Sequence, residues 1–299
     1  MKKIRSFLSA CSRLKVWTRV LSMALSLVML FYVIPTVVYG EIANAIDNIG
    51  IDEETEQINE EKEAASYTYE GVLYEVESLR EESVKHFHLE DGTYIAAQYP
   101  NAVHTLDENG EWQDIDNSLA AAAGGVWANA NARIKFAKKI TGNESLFTLH
   151  DGNTKITMSL VGAKKKTVGQ VTNNADAEEL TELQKMMNLE KLSSSIIYTD
   201  ILDGVDLQYI VSSLNIKENI IVKEKQDSYS YSFTLKLNNL EAELQADGSI
   251  LVFDPDTDAV VYTIPAPIVY DASYVYANAD QAEYTLTDNG NGKYTLTVT

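Results

Sequence analysis

The sequence predicts a mostly all-β protein made of antiparallel, β-sandwich-like modules with one short connecting helix. Apolar and polar residues alternate, most clearly from Tyr229 to Leu237, as they do in a strand with one buried and one wet face. Turn-forming Asn-Gly and Asp-Gly pairs recur between such segments, and they tolerate the positive φ of tight hairpins. These pairs are Asp91–Gly92, Asn109–Gly110, Asp151–Gly152, Asp203–Gly204, Asp247–Gly248 and Asn289–Gly290.

The first forty residues have the pattern of an export signal. Six basic residues precede an uninterrupted apolar run from Val20 to Ile34, which Pro35 ends. Cleavage after Gly40 fits this pattern best, cleavage after Ala45 is a second reading, and an uncleaved membrane anchor over residues 20–39 is a third. In all three cases the remainder of the chain is predicted to lie outside the cytoplasm.

Cys11 is the only cysteine of the chain, and it lies in this leader. It ends a lipobox-like sequence, Leu8–Cys11, that precedes the apolar run instead of closing it, so we reject lipidation. The exported part therefore has no disulfide, thiol nucleophile or thiolate metal ligand. Cysteine-free secreted domains of this kind are typical of Gram-positive bacteria.

The exported part is strongly acidic. The whole chain carries a formal charge of −20, and the leader contributes six basic and no acidic residues, so residues 41–299 carry −26. Such a surface repels phosphate backbones, and no basic stripe offsets it. We therefore expect no nucleic-acid partner, whereas divalent cations or a neutral or cationic wall matrix are compatible with this charge.

Five regions are predicted in order. They are a signal peptide or anchor (1–40), an acidic flexible spacer (41–66), a first β module (67–160), a connector with a short helix (161–197) and a second β module, truncated at its C-terminus (198–299).

Three local elements are predicted inside these regions. The connector helix begins with a capping box formed by Asp176 and Glu179. Tyr284–Leu286 and Tyr294–Val298 form a hairpin around the Asp288–Gly292 turn. The low-complexity stretch Ala120–Ala132 is expected to be a loop.

Histidines and aspartates are the candidate metal ligands of the sequence. His86 and His88 would share one strand face, and His104 and His150 are the other two histidines of the chain. Asp254, Asp256 and Asp258 begin like a calcium loop, but Ala259 and Pro265 stand where that loop requires Gly and Glu. The favoured interpretation is that two of these histidines lie on a half-exposed sheet surface. The aspartates are interpreted as an acidic hairpin turn between Ile250–Phe253 and Ala259–Ile264.

Catalytic signatures are missing from the sequence. It contains neither a G-x-S-x-G elbow nor an H-E-x-x-H helix, and its carboxylates are too numerous for a pair to be chosen. We assign no catalytic, cofactor-binding or metal-binding residue, and we predict that the protein is not an enzyme.

Three blocks of the sequence carry a family resemblance. Glu77–Leu119 contains the runs H-F-H-L-E-D-G-T-Y and H-T-L-D-E-N-G-E-W-Q-D-I-D-N-S-L. Tyr198–Tyr209 with Lys217–Ile220 forms a second block, and Ile264–Pro267 leads to Asp271 in a third. Together they resemble the N-terminal region of secreted bacterial surface proteins of the wall-associated type, which carry a DNRLRE domain and RHS (YD) repeats.

The resemblance implies a non-catalytic, surface-exposed β module that precedes the DNRLRE domain, the repeats and a variable effector domain. Trp112 and the step Ile115–Asn117 would then stabilise the module instead of forming a site. The implied partners are the downstream domains of the same polypeptide, with cell-wall glycan as a second candidate. A membrane would be contacted only through residues 20–39 of an uncleaved leader.

The sequence therefore predicts the N-terminal platform or stalk of a larger cell-surface protein. The first alternative is a glycan- or wall-binding module that uses Trp112, Trp127 or surface tyrosines. The second alternative is a secreted glycosidase or peptidase.

Overall fold

The structure is a computed structural model that describes residues 71–107, 109–142, 145–174, 189–270 and 282–299. The predicted leader, acidic spacer and connector helix at Asp176 lie outside these residues. Antiparallel strands dominate the described part, where the helices are two short 3₁₀ turns, Glu77–Leu79 and Leu189–Leu192. The mostly-β prediction is confirmed. No helix among the described residues has the length and apolarity needed to cross a membrane.

Twenty strands are present in the described residues. They are β1 (Val72–Glu75), β2 (Val84–Leu89), β3 (Tyr94–Gln98), β4 (His104–Leu106), β5 (Trp112–Asp114), β6 (Ala120–Ala122), β7 (Val126–Ala128), β8 (Ile134–Ala137), β9 (Phe147–Asp151), β10 (Thr154–Leu160), β11 (Gly169–Asn173), β12 (Ser193–Leu202), β13 (Val205–Ser212), β14 (Asn215–Val222), β15 (Tyr231–Asn238), β16 (Glu241–Leu244), β17 (Ile250–Asp254), β18 (Ala259–Ile264), β19 (Tyr284–Asp288) and β20 (Lys293–Val298).

The chain divides into two compact units, Met1–Ala102 and Val103–Thr299. The described part of the first unit is a three-stranded antiparallel sheet in the order β1-β2-β3. On β2, Lys85 and Phe87 are each 1% exposed. The Lys85 ammonium lies 3.4 Å from Glu75 Oε2, and Arg80 Nε lies 2.7 Å from Glu75 Oε1. Glu75 thus supplies the counter-charge that a buried amine requires.

The second unit contains two large antiparallel sheets. The eight-stranded sheet has the order β19-β20-β15-β10-β9-β8-β7-β6, and the four-stranded sheet has the order β11-β12-β13-β14. Smaller sheets, β16-β17-β18 and β4-β5, complete it. Because β10 pairs directly with β15, strands from the predicted first and second modules belong to one sheet. The shared sheet does not follow the module boundaries predicted at residues 160 and 198, because its strand pairing joins segments that are distant in sequence.

One apolar core lies between the two large sheets, which makes this unit a β-sandwich. Phe136 of β8 and Phe147 of β9 contact Tyr209 of β13, with ring centroids 5.2 and 6.0 Å apart. The buried Tyr198 hydroxyl of β12 donates a 2.7 Å hydrogen bond to the Ala137 carbonyl across the same interface. The sandwich therefore has a specific polar contact as well as apolar packing.

The predicted turns are confirmed. All six glycines of the Asn-Gly and Asp-Gly pairs have positive φ, and each pair joins two antiparallel strands. The terminal hairpin also forms, with Leu286 opposite Leu296. The Ala120–Ala132 prediction was wrong in part, because this stretch contains the short strands β6 and β7.

Candidate functional site

Three aromatic side chains form a row across the outward face of the first unit's sheet. Tyr74 on β1, His88 on β2 and Tyr94 on β3 are register partners, so their side chains share one face. The Tyr74 and His88 rings are stacked with centroids 5.2 Å apart, and the His88 and Tyr94 rings meet edge-on at 4.9 Å. Tyr74 is 55% and Tyr94 59% exposed. We call this row the aromatic ladder.

The four histidines occupy different environments. His86 and His88 alternate with the buried Lys85 and Phe87 and share the outward face of β2, as predicted. His104 is fully buried on β4 and lies 3.5 Å from Asp114 of β5 through its Nε2 atom. His150 is exposed on β9. The four histidines therefore lie on three different strands. Only His86 and His88 share one face of a strand, as predicted for them.

The tryptophans named as possible sugar platforms have structural contacts instead. Trp127 donates its indole N–H to the Gly169 carbonyl at 3.2 Å, and the Lys138 ammonium lies 5.0 Å from its ring centroid. Trp112 is half-buried on β5, opposite Leu106 of β4. Among the described residues, the aromatic side chains with large exposed surface are therefore tyrosines, of which Tyr74 and Tyr94 of the aromatic ladder are the most exposed.

The acidic sequence at Asp254–Asp258 forms a hairpin turn between β17 and β18. The Asp254 carboxylate accepts a 2.8 Å hydrogen bond from the Asp256 amide, and the Asp254 carbonyl accepts one of 2.9 Å from the Asp258 amide. Asp258 has a positive φ of 55°. The Asp254 carboxylate thus shapes the turn in the way that an Asx turn does, and the stretch forms the hairpin turn that the sequence predicted.

Asn117 is a buried hydrogen-bonding centre that joins distant parts of the second unit. It is 2% exposed, and its amide group donates to the Leu192 carbonyl at 3.0 Å and to the Ser213 carbonyl at 2.8 Å. Its own carbonyl accepts a 2.6 Å bond from the Ser194 hydroxyl. The segment after β5 is therefore attached to the ends of β12 and β13.

Glu218 is a half-buried residue of the sandwich whose carboxyl oxygen Oε2 is shielded from solvent. It lies on β14 opposite Tyr209 of β13, and among the described residues neither Glu218 Oε2 nor Tyr209 Oη makes a hydrogen bond of normal length and angle. Burial raises the pKa of Glu218 to about 7, and the interaction of the carboxyl group with the Tyr209 hydroxyl partly opposes this rise. Burial, and then the Glu218 charge, raises the pKa of Tyr284 to about 12.

We expect Glu218→Gln to stabilise the protein at pH 8 but not at pH 4.5. The folded pKa of about 7 exceeds the ordinary 4.5, so the protonated form is favoured in the folded state and the stability falls as the pH rises from 4.5 through 7. The uncharged amide avoids this penalty. Because the residue is half-buried, we expect a gain of about 1–3 kcal/mol at pH 8 from urea unfolding.

Glu243→Gln, which removes an exposed carboxylate on β16, is the matched control and should change the stability by less than about 0.5 kcal/mol at either pH. Equal effects of Glu218→Gln at pH 4.5 and pH 8 would contradict the assignment of a penalty to the ionised Glu218.

Comparison with known proteins gives three long relatives from Bacillus. The tRNA3(Ser)-specific nuclease WapA of Bacillus spizizenii is 28% identical over 257 residues, and the tRNA(Glu)-specific nuclease WapA of Bacillus subtilis subsp. natto is 29% identical over 258 residues. The tRNA nuclease WapA of Bacillus subtilis strain 168 is 28% identical over 257 residues. Each match covers 83% of this chain. No protein-family model matches the chain.

The matched part is only 10% of each relative, so the chain spans about a tenth of the length of the curated relatives that it matches. The chain is therefore distantly homologous to a small segment of WapA.

Proposed function

We propose that this chain is a non-catalytic, exported β platform within a larger bacterial cell-surface protein of the DNRLRE and RHS-repeat type. The observation that carries the proposal is the unequal coverage of the alignments, which include 83% of this chain but only 10% of each relative. A segment that is a small fraction of a long protein suits a module that supports other domains.

The contacts of Asn117 support the same proposal. Asn117 belongs to the first block of the family resemblance, and it is buried with its side-chain NH₂ group and its backbone carbonyl bonded inside the unit. Ile115 beside it is 5% exposed. These residues contribute to the stability of the sandwich and are shielded from a substrate in solution.

The charge of the chain argues against an action on tRNA, which is the substrate in the relatives' names. The net charge is −20, and a polyanion such as tRNA is repelled by a surface of the same sign. We propose that the platform neither binds nor cleaves tRNA. Incubation of the purified full chain with total tRNA should leave the tRNA intact, and cleavage above that of a heat-denatured sample would overturn the proposal.

Surface exposure is tested on intact cells. When a Gram-positive host produces the full chain, trypsin added to the intact cells should degrade the chain, while a cytoplasmic marker protein survives. The matched control is Leu25→Arg with Val28→Arg, which interrupts the apolar run of the leader and should keep the chain protected inside the cell. Protection of the unaltered chain in intact cells would contradict an exported platform.

A further inference from the structure

We propose that the aromatic ladder of Tyr74, His88 and Tyr94 is a stacking surface for a neutral saccharide chain. The ladder belongs entirely to the first unit. The inference does not depend on the platform proposal, because a saccharide could be bound whether or not the chain supports other domains.

The exposure of the ladder sets it apart from a purely structural cross-strand contact. The inward side chains of β2, Lys85 and Phe87, are each 1% exposed, whereas Tyr74 and Tyr94 leave more than half of their surface in solvent. Both tyrosines lie on the edge strands of the sheet, with His88 of the central strand between them. Each ring therefore contacts the imidazole on one side and offers further surface to a ligand.

The geometry of the ladder suits a chain of sugar rings. The sum of the two centroid distances, 5.2 and 4.9 Å, means that at most about 10 Å separates the two tyrosine rings. The Tyr74 and Tyr94 rings are inclined to the His88 ring by 23° and 69°, so they are not coplanar, and each would contact the apolar C–H face of a different pyranose ring along a twisted chain. Tyrosine also carries a hydroxyl that can bond to sugar hydroxyls, because one end of the side chain is apolar and the other is polar.

The charge around the ladder selects a neutral ligand over an anionic one. Residues 71–102 contain two basic and six acidic side chains, a net charge of −4. Both basic residues, Arg80 and Lys85, are paired with Glu75. Asp91, in the turn before Tyr94, has a pKa below its ordinary value because the Thr93 hydroxyl and amide donate to it. A polyanionic wall polymer would meet this negative surface with no unpaired cation among the described residues of the unit.

The test is calorimetric titration of the full chain, secreted by a Gram-positive host, with the neutral hexamer of β-1,4-linked N-acetylglucosamine. We expect Tyr74→Ala and Tyr94→Ala each to raise the Kd about five- to ten-fold, as expected for the loss of one stacked ring. Tyr74→Phe and Tyr94→Phe should retain most of the affinity, because they keep the ring. Poly(glycerol phosphate), the anionic probe, should not bind.

Tyr229→Ala is the matched control, because Tyr229 is 45% exposed but lies in the second unit. It should leave the Kd unchanged. Tyr94→Val keeps the strand propensity of β3 while removing the ring, so it should reproduce the loss of binding if the alanine variants unfold the sheet. Failure of the hexamer to bind would overturn the proposal. So would full affinity in folded Tyr94→Val protein, or binding of poly(glycerol phosphate) as tight as that of the hexamer.

Discussion

Asn117→Asp is expected to destabilise the sandwich by about 3–5 kcal/mol at pH 7, although it changes one NH₂ group to an oxygen. The wild-type amide donates to the carbonyls of Leu192 and Ser213 at 3.0 and 2.8 Å. A carboxylate removes both donors and places a negative charge against two acceptors in a site that is 2% exposed. Protonation restores one donor, so the loss should be smaller at pH 4 than at pH 7 when both are measured by urea unfolding.

Asn239→Asp is the matched control for this substitution. Asn239 also donates from its side chain to a backbone carbonyl, that of Asn153 at 2.7 Å, but it is exposed. We expect a loss below about 1 kcal/mol, with little difference between the two pH values. If the two Asn→Asp variants were equally stable, the buried hydrogen-bonding centre would not have the stabilising role that we assign to it.

Gly292→Ala is expected to cost about 3–4 kcal/mol, and Gly290→Ala in the same turn about 1 kcal/mol. Both glycines have positive φ, 67° and 78° respectively, so both substitutions have the conformational penalty of an L residue. They differ in the space around the added methyl group. At Gly292 a Cβ would overlap the Leu237 carbonyl oxygen of β15, whereas at Gly290 nothing lies within 4 Å.

The comparison of these two variants separates steric overlap from backbone strain. Thermal or urea unfolding of both proteins at one pH supplies the measurement. Equal destabilisation would show that only the φ angle matters, and it would contradict the close approach of the turn to β15.

The local features of the fold could be predicted from the sequence. Asn-Gly and Asp-Gly pairs set the hairpin positions because the positive φ is a property of those residues themselves. The strand at Tyr231–Asn238 followed from strict alternation over residues 229–237. The Asp254–Asp258 turn followed from strand patterns on both sides.

Partner choice between distant strands could not be predicted in the same way. The pairing of β10 with β15 joins segments separated by the whole of β11–β14, and no local pattern encodes it. The carbonyl partners of Asn117 lie 75 and 96 residues further along the chain. Ala120–Ala122 has weak strand propensity, and its pairing with β7 comes from the tertiary context.

Two features of the candidate sites were not predicted, although the sequence contains signals for them. The Asp91–Gly92 turn fixes the register that places His88 opposite Tyr94, so part of the aromatic ladder could have been derived from it. The alternation Ile216, Glu218, Ile220 places Glu218 on the apolar face of β14.

The strand order of the large sheet has a consequence for how the protein reaches its folded state. Strand β15 has β10 on one side and β20 on the other, and β20 ends at Val298. A chain that emerges N-terminus first therefore exposes one unpaired edge of β15 until residues 293–298 have followed. An open edge of this kind can recruit strands from other chains. We therefore expect the pairing of β20 with β15 to be required for folding, so truncations upstream of Lys293 should aggregate instead of folding to a slightly smaller sandwich.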